Sequence, residues 1–265
     1  MSGPFSSTKP FSSWSELTGI FGGNFNPPHL GHKTGSLGLL KQPGLKRVVI
    51  LPNSKTPLRV GLQKNSWLDS AQKLEAIKIL FESEIHSNQL LIDESELGNR
   101  NPSYTFNSLE WLRPKYGPIA FAIGIDQFTQ FKNWFRFPEV LGLCHWIVLM
   151  RKPENKIENS RDTSRRSSGA DRESVKEAIS RAFSEGWLTR TLSDSEAGKT
   201  GGPNFETVHK TRLAFCETDA MAASSTEIRE NFEKSGELDV NKLGSELLEY
   251  LKRLPFYDRG TNKCL

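Results

Sequence analysis

The run Ile20-Phe21-Gly22-Gly23-Asn24-Phe25-Asn26-Pro27-Pro28-His29-Leu30-Gly31-His32 decides how the rest of this 265-residue chain is read. Leu17 to Phe21 suits the end of a buried strand, and Gly22-Gly23 lets the backbone turn where a Cβ would clash. Asn26 fits the N-cap of a following helix, with both prolines just inside its start, where a missing N–H costs nothing. His29 and His32 then share one face of the first turn. The N–H groups that open a helix, and its positive dipole end, favour an anion. Strand, glycines, helix start and imidazoles therefore agree on a site for a nucleotide phosphate. Reading the run as a Gly/Pro loop with incidental histidines leaves that agreement to chance. A zinc pair would need a nearby Cys or carboxylate to complete a tetrahedral set, and the run offers none.

On either side of this run the pattern alternates. A helix from about His29 to Lys41 and a Pro43-Gly44 turn lead to Leu45–Pro52, where Val48-Val49-Ile50-Leu51 has the continuous apolar character of a parallel strand covered on both faces. The loop Asn53 to Asn65 carries Lys55, Arg59 and Lys64. A helix is expected over Asp69 to Phe81, a strand at Leu90 to Ile92, and a helix over Ser103 to Lys115. Further strands are expected at Pro118 to Ile123 and His145 to Met150. This rhythm predicts an α/β fold: a doubly wound, largely parallel, Rossmann-like sheet with helices on both faces. In such sheets the ligand lies outside the carboxyl ends of the strands, where Gly22-Gly23 falls.

From Lys152 to Thr211 the rhythm breaks. Asn159 to Gly169 is too polar to form a core, and Gly198 to Pro203 reads as a flexible loop around a helix from Arg172 to Trp187. Ser160 to Gly169 and Ser195 to Gly202 are expected to be mobile or held only by local contacts. The Gly198-Lys-Thr triplet lacks the upstream glycine and strand of a P-loop and is rejected as one. A strand over Arg212 to Cys216 and helices over Thr226 to Glu233 and Asn241 to Leu251 close the chain. The organisation expected is an N-terminal extension, 1–17, then one domain, 18–265, with a polar insertion at about 154–210. The extension has no continuous apolar core of the secretory kind and should pack Phe5, Phe11 or Trp14 onto the domain.

Composition bounds the partners. A net charge of +4 points to neither nucleic acid nor membrane, and no apolar run approaches a membrane span. Three widely spaced cysteines, Cys144, Cys216 and Cys264, form no metal or disulfide framework and suit a reducing cytoplasm. A homo-oligomer is left open.

A second signal is Ser224-Ser225-Thr226-Glu227-Ile228-Arg229. Ser224 and Glu227 have capping-box spacing, so a helix should start here with its N–H groups and hydroxyls ready for phosphate oxygens. Arg229 adds a forked cation on the same face as Thr226. The glycine–histidine run resembles the Gly-x-Phe-x-Pro-x-His-x-Gly-His signature of adenylyltransferases with a HIGH-type nucleotide-binding fold. Ser224 to Arg229 resembles the same enzymes' Ser-Ser-Thr-x-Ile-Arg motif, which grips the pyrophosphate end of ATP. Pro102-Ser103-Tyr104-Thr105, Gly124-Ile125-Asp126 with Trp134, and the strand-closing Arg151 are similar to segments of bacterial nicotinate-nucleotide adenylyltransferases.

The resemblance implies adenylyl transfer from ATP to nicotinate mononucleotide, with Mg²⁺ accompanying ATP and no dedicated metal cage on the protein. His29, His32 and Arg229 would be catalytic. Gly22, Gly23, Phe25, Gly124, Asp126, Ser224, Ser225 and Thr226 would join them in binding ATP, with Asp126 on the ribose. Asn24, Arg59, Tyr104, Thr105, Trp134 and Arg151 would take the acceptor, with Trp134 stacking on the pyridine. The rivals are a related transferase that uses nicotinamide mononucleotide or phosphopantetheine, with the segments at Pro102 and Gly124 arguing against phosphopantetheine, and a nucleotide sensor without turnover. Two departures stand out: the family's Pro-His-Lys appears as Pro57-Leu58-Arg59, and its Arg at the next helix start appears as Lys73.

Overall fold

Nine helices and eight strands are found among the residues that this computed structural model describes: 14, 16–53, 67–99, 101–151, 167–193, 202–219 and 223–257, with backbone only at 151 and 167–172. They fall into two compact units, 1–19 with 41–46 and 105–217, and 20–40 with 47–104 and 218–265.

The second unit takes most of β1 (Leu17–Gly23), α1 (Leu30–Leu40), most of β2 (Leu45–Pro52), α2 (Ser70–Leu80), α3 (Glu82–His86) and β3 (Leu90–Ile92). Its strands are ordered β3-β2-β1, with β2 and β3 parallel in the register Val48↔Leu90 and Ile50↔Ile92. The apolar run Val48–Leu51 is buried throughout, as a strand covered on both faces requires. A full capping box starts α2: Asp69 accepts from the Gln72 N–H at 2.8 Å, and Gln72 accepts from the Asp69 N–H at 3.0 Å. The unit closes with α7 (Ser225–Ser235), α8 (Val240–Leu243) and α9 (Ser245–Lys252). The single helix expected over Asn241 to Leu251 is broken at Gly244, which takes φ +83° and separates α8 from α9.

In the first unit, α4 (Thr105–Tyr116) leads into β4 (Ile119–Gly124), α5 (Ile125–Thr129) and β5 (His145–Arg151). β4 and β5 run parallel, Phe121 opposite Trp146, and bury Ile119–Ile123 and Trp146–Val148. α4 starts two residues later than the sequence suggests. Trp14, of the three aromatics expected to pin the extension, packs here: its Nε1 donates to the Pro43 carbonyl at 2.8 Å, and its ring lies 3.7 Å from the Arg212 guanidinium. Phe5 and Phe11 lie outside the described residues.

The insertion supplies more than a helix. After α6 (Ser167–Ser184) come β6 (Leu188–Leu192) and β7 (Asn204–Thr207), which pair antiparallel, and β7 pairs antiparallel with β8 (Arg212–Thr218). The unit's strand order is β4-β5-β8-β7-β6. Residues 194–201 and 152–166, which hold most of the stretches expected to be mobile, lie outside the described residues. Gly202 is packed: a Cβ there would stand 2.5 Å from the Phe215 carbonyl oxygen.

Candidate active site

The site's first half grows from the end of β1. Gly22 and Gly23 complete the strand rather than turning it. At Gly23 the close neighbour is Phe25, whose ring would lie 3.0 Å from an added Cβ. Phe25 takes φ 48°, a left-handed conformation that costs a bulky residue about 1–3 kcal/mol. Near-complete burial holds it there, with its ring 4.6 Å from the His32 ring centroid. Phe25 thus packs against the His32 imidazole.

Asn26 is not the N-cap. Its Oδ1 accepts from the Leu68 N–H at 3.1 Å, which ties this loop to the residues just before α2. Both prolines precede the helix, and His29 takes the capping place. His29 Nδ1 accepts from the His32 N–H at 3.3 Å, and His32 Nδ1 accepts from the His29 N–H at 3.2 Å. This reciprocal arrangement has the logic of a capping box, with imidazoles as the acceptors. The rings lie 3.7 Å apart between centroids, at 30°. With each Nδ1 accepting, the hydrogen-bond pattern assigns the neutral-ring proton to Nε2. Burial, and then the neighbouring His29, hold the His32 pKa well below the usual 6.5. His32 is therefore a neutral N–H donor at neutral pH.

The second half comes from the first turn of α7. Ser225 Oγ donates to the Pro27 carbonyl at 2.8 Å. Arg229 donates from Nη1 to the Asn26 carbonyl and from Nη2 to Thr226 Oγ1 at 3.2 Å. Sequence-distant motifs thus meet: His29, His32, Ser225, Thr226 and Arg229 surround one loop, Asn26–Pro28. The expected Ser224–Glu227 capping box does not form. Ser224 occupies the N-cap without a side-chain cap bond, and the Glu227 carboxylate pairs with Lys242. The N-cap side chain makes no bond at this helix start, and anion binding at such a start needs its amides.

Asn53 and Lys73, neither of which the motif reading gave a site role, complete this region. The Asn53 N–H donates to the Gly23 carbonyl at 2.9 Å and joins the ends of β1 and β2. Lys73 on α2 donates to Asn24 Oδ1 at 3.0 Å and to the Asn53 carbonyl at 2.6 Å. A signal for Lys73 was present, since with Ala76, Ile77 and Leu80 it forms the buried stripe of α2. Behind α7, Trp67 stacks on Phe256 at 4.5 Å and meets Phe232 edge-on at 5.1 Å.

Other expected residues belong to the first unit. Gly124 N-caps α5, and its N–H donates to the Gln127 side chain at 3.3 Å. A Cβ at Gly124 would stand 2.6 Å from Asp126 Oδ1, so this glycine makes room for the carboxylate. Asp126 itself is exposed. Trp134 is not a bare platform: it is half-buried and edge-on to Phe131 at 4.8 Å. Thr105 opens α4, and Arg151 closes β5 with its side chain outside the description. In the second unit Tyr104 is 37% exposed, and Arg59 lies outside the described residues. No cluster of three or more metal-ligating side chains occurs among the described residues.

This chain is similar to solved structures and to curated proteins of one kind. Over 92% of its length it matches the Plasmodium falciparum nicotinic acid mononucleotide adenylyltransferase complexed with NaAD, with a TM-score of 0.58, 13% identity and 98% of that chain covered. The match is one of fold, and it bears out the Rossmann-like α/β reading. "Probable nicotinate-nucleotide adenylyltransferase" of Wigglesworthia glossinidia brevipalpis is 34% identical over 52% of this chain and 64% of its own length. The Sodalis glossinidius protein of the same name is 37% identical over 51% of this chain and 61% of its own length. The chain thus spans about six-tenths of the length of these curated relatives. The cytidylyltransferase-like family pattern runs from residue 20 to residue 231, from the strand before the paired imidazoles to the helix that carries Arg229, and the chain belongs to that family.

Proposed function

We propose that the chain transfers the adenylyl group of ATP to nicotinate mononucleotide, giving deamido-NAD and pyrophosphate. The observation that carries this reading is the meeting of the His29–His32 pair with Ser225, Thr226 and Arg229 around the Asn26–Pro28 loop. The names of the curated relatives point to the same acceptor.

Phosphate attack on the α-phosphorus of ATP asks the protein for placement and charge stabilisation, not for a covalent intermediate. His29 and His32 aim Nε2–H donors at the oxygens on which charge builds, with Phe25 packed against the His32 ring and the His29 ring packed on His32. The first turn of α7, with Ser224, Ser225, Thr226 and Arg229, holds the departing pyrophosphate. Gly22 and Gly23 let the backbone come close to the nucleotide, and Asp126, given room by Gly124, accepts from the adenosine ribose hydroxyls. The acceptor falls to Asn24, Arg59, Tyr104, Thr105, Trp134 and Arg151.

Mg²⁺ would arrive on the phosphates of ATP and supply charge neutralisation there. The donor set suits this mode, since imidazole and guanidinium groups leave such an ion to phosphate and water oxygens. On this reading residues 18–265 serve one transferase activity, with about 154–210 as an insertion. No helix among the described residues is long and apolar enough to cross a membrane. The free, buried thiols of Cys144 and Cys216 support a reducing cytoplasm.

The test is pyrophosphate release by the purified chain with ATP, Mg²⁺ and each acceptor in turn. Release that depends on nicotinate mononucleotide is expected. Nucleotide binding without release would make the protein a sensor instead.

A further inference from the structure

The buried stripe of α2 contains one charge. Lys73 is 3% exposed. It holds the fork where β1 and β2 end, through Asn24 just after one strand and Asn53 just after the other. Both acceptors are neutral, and no carboxylate among the described residues forms an ion pair with this ammonium. An ammonium has three protons to donate, and these partners use two. A buried cation without a counter-ion is costly to keep. In an open α/β sheet, the carboxyl ends of the strands are where a ligand binds.

We propose that Lys73 supplies the charge that draws the phosphate monoester of the acceptor mononucleotide to the ends of β1 and β2, with Asn24 and Asn53 fixing its ammonium in place. This rests on the adenylyl-transfer reading given above. It assigns the acceptor's phosphate to Lys73, while the α7 turn and the imidazole pair attend to ATP.

Burial alone lowers the Lys73 pKa to about 8. Its own helix bears Asp69, Glu75 and Lys78, and the flanking α3 bears Glu82, Glu84 and His86. α9, which packs on α2, brings Glu246, Glu249, Tyr250 and Lys252. β2 brings Lys46 and Arg47, and the loop after β1 brings His29 and His32. None of these contributes to the shift, and Asp69 and Glu75 act on Tyr250 instead. Charge on Lys73 is thus present below about pH 8 and lost above it.

A neutral amine still has two N–H groups, enough for Asn24 and Asn53. A lysine that only props the loop would keep both bonds above pH 8 and show no alkaline fall. A lysine that acts by charge makes kcat/KM for nicotinate mononucleotide fall above pH 8, approaching tenfold per pH unit. The experiment is the wild-type profile of kcat/KM from pH 7 to 9.5, for the acceptor and for ATP separately. The acceptor profile should bend and the ATP profile should not. Lys73→Arg should remove the bend, and Lys73→Gln should raise the acceptor KM about tenfold or more at pH 7 with a flat profile. A flat acceptor profile in the wild type overturns the proposal, whether or not the variants fold. Calorimetric titration with nicotinate mononucleotide alone separates the two readings. Binding that weakens above pH 8 without turnover sinks adenylyl transfer and keeps the Lys73 assignment. Binding indifferent to pH, or no binding, sinks the Lys73 assignment.

Discussion

His29 and His32 each accept the other's backbone N–H through Nδ1, at 3.3 and 3.2 Å, so both rings are turned with Nε2 away from the helix they cap. Replacing His32 by alanine removes a preorganised donor and should lower kcat by ~10²–10³, with little change in ATP affinity. Single-turnover rates and equilibrium ATP binding check this. Wild-type turnover by the alanine variant would show that the pair only caps the helix.

Arg229 holds the Asn26 carbonyl and Thr226 Oγ1 with two different nitrogens. A lysine cannot reproduce that fork. Loss of one charged hydrogen bond is worth about 1.5–3 kcal/mol. Arg229→Lys should therefore reduce kcat/KM for ATP by roughly 10- to 150-fold. Unchanged kinetics in this variant would remove Arg229 from the pyrophosphate site.

His145 sets a pH dependence of stability. Its Nδ1 accepts the Arg212 N–H at 3.0 Å. Burial, and then the Arg212 charge, push its pKa down from 6.5 to about 4. The unfolded chain then binds this proton at a pH where the folded chain does not, so stability rises with pH. The contribution is fully present above about pH 6.5 and is lost as the pH falls towards 4. His145→Asn, which can keep the acceptor, should flatten the unfolding free energy over that window. Denaturant titrations between pH 4 and 7 measure the slope, and parallel slopes for wild type and variant would exclude His145 as its source.

Acid should be preferred to amide. A carboxylate suits the N–H groups and positive dipole end at the start of α4, where Thr105 is the first residue. A carboxamide NH₂ aimed at the same donors leaves groups unpaired at about 1–3 kcal/mol each. The expected preference for nicotinate over nicotinamide mononucleotide is at least about tenfold in kcat/KM. Trp134→Ala should weaken both acceptors alike, since a ring face does not distinguish them. Equal use of both acceptors by the wild type would favour the amide-using transferase.

Much of this was legible in the sequence where one interaction dominates. Val48–Leu51 reads as a covered strand because burial on both faces leaves no polar position. The helix starts near His29 and Ser225 are legible from their punctuation. Legibility ended where a side chain had a choice of partner. Glu227 has the spacing to cap α7 but pairs with Lys242, a residue far along the chain. Asn26 has the chemistry of an N-cap but serves the Leu68 N–H. β6 was hidden by its own composition: Leu188-Thr-Arg-Thr-Leu is short and polar, and the Arg190–Glu206 and Lys210–Glu206 pairs beside it are visible only once β7 is in place. Lys73 is legible in the sequence as a departure from the family's Arg, and its place in the apolar stripe of α2 is the further signal that it is buried.

The stretch between Asn53 and Trp67 is bounded by two fixed posts. At one end Asn53 is held by Gly23 and Lys73. At the other, Trp67 is stacked on Phe256, and the Leu68 N–H is held by Asn26. Whatever sequence runs between these posts, its take-off and landing points are set by residues outside it. The bonds that hold Asn53 and the Leu68 N–H come from Gly23, Lys73 and Asn26, so substitutions confined to 54–66 leave the partners of both posts in place.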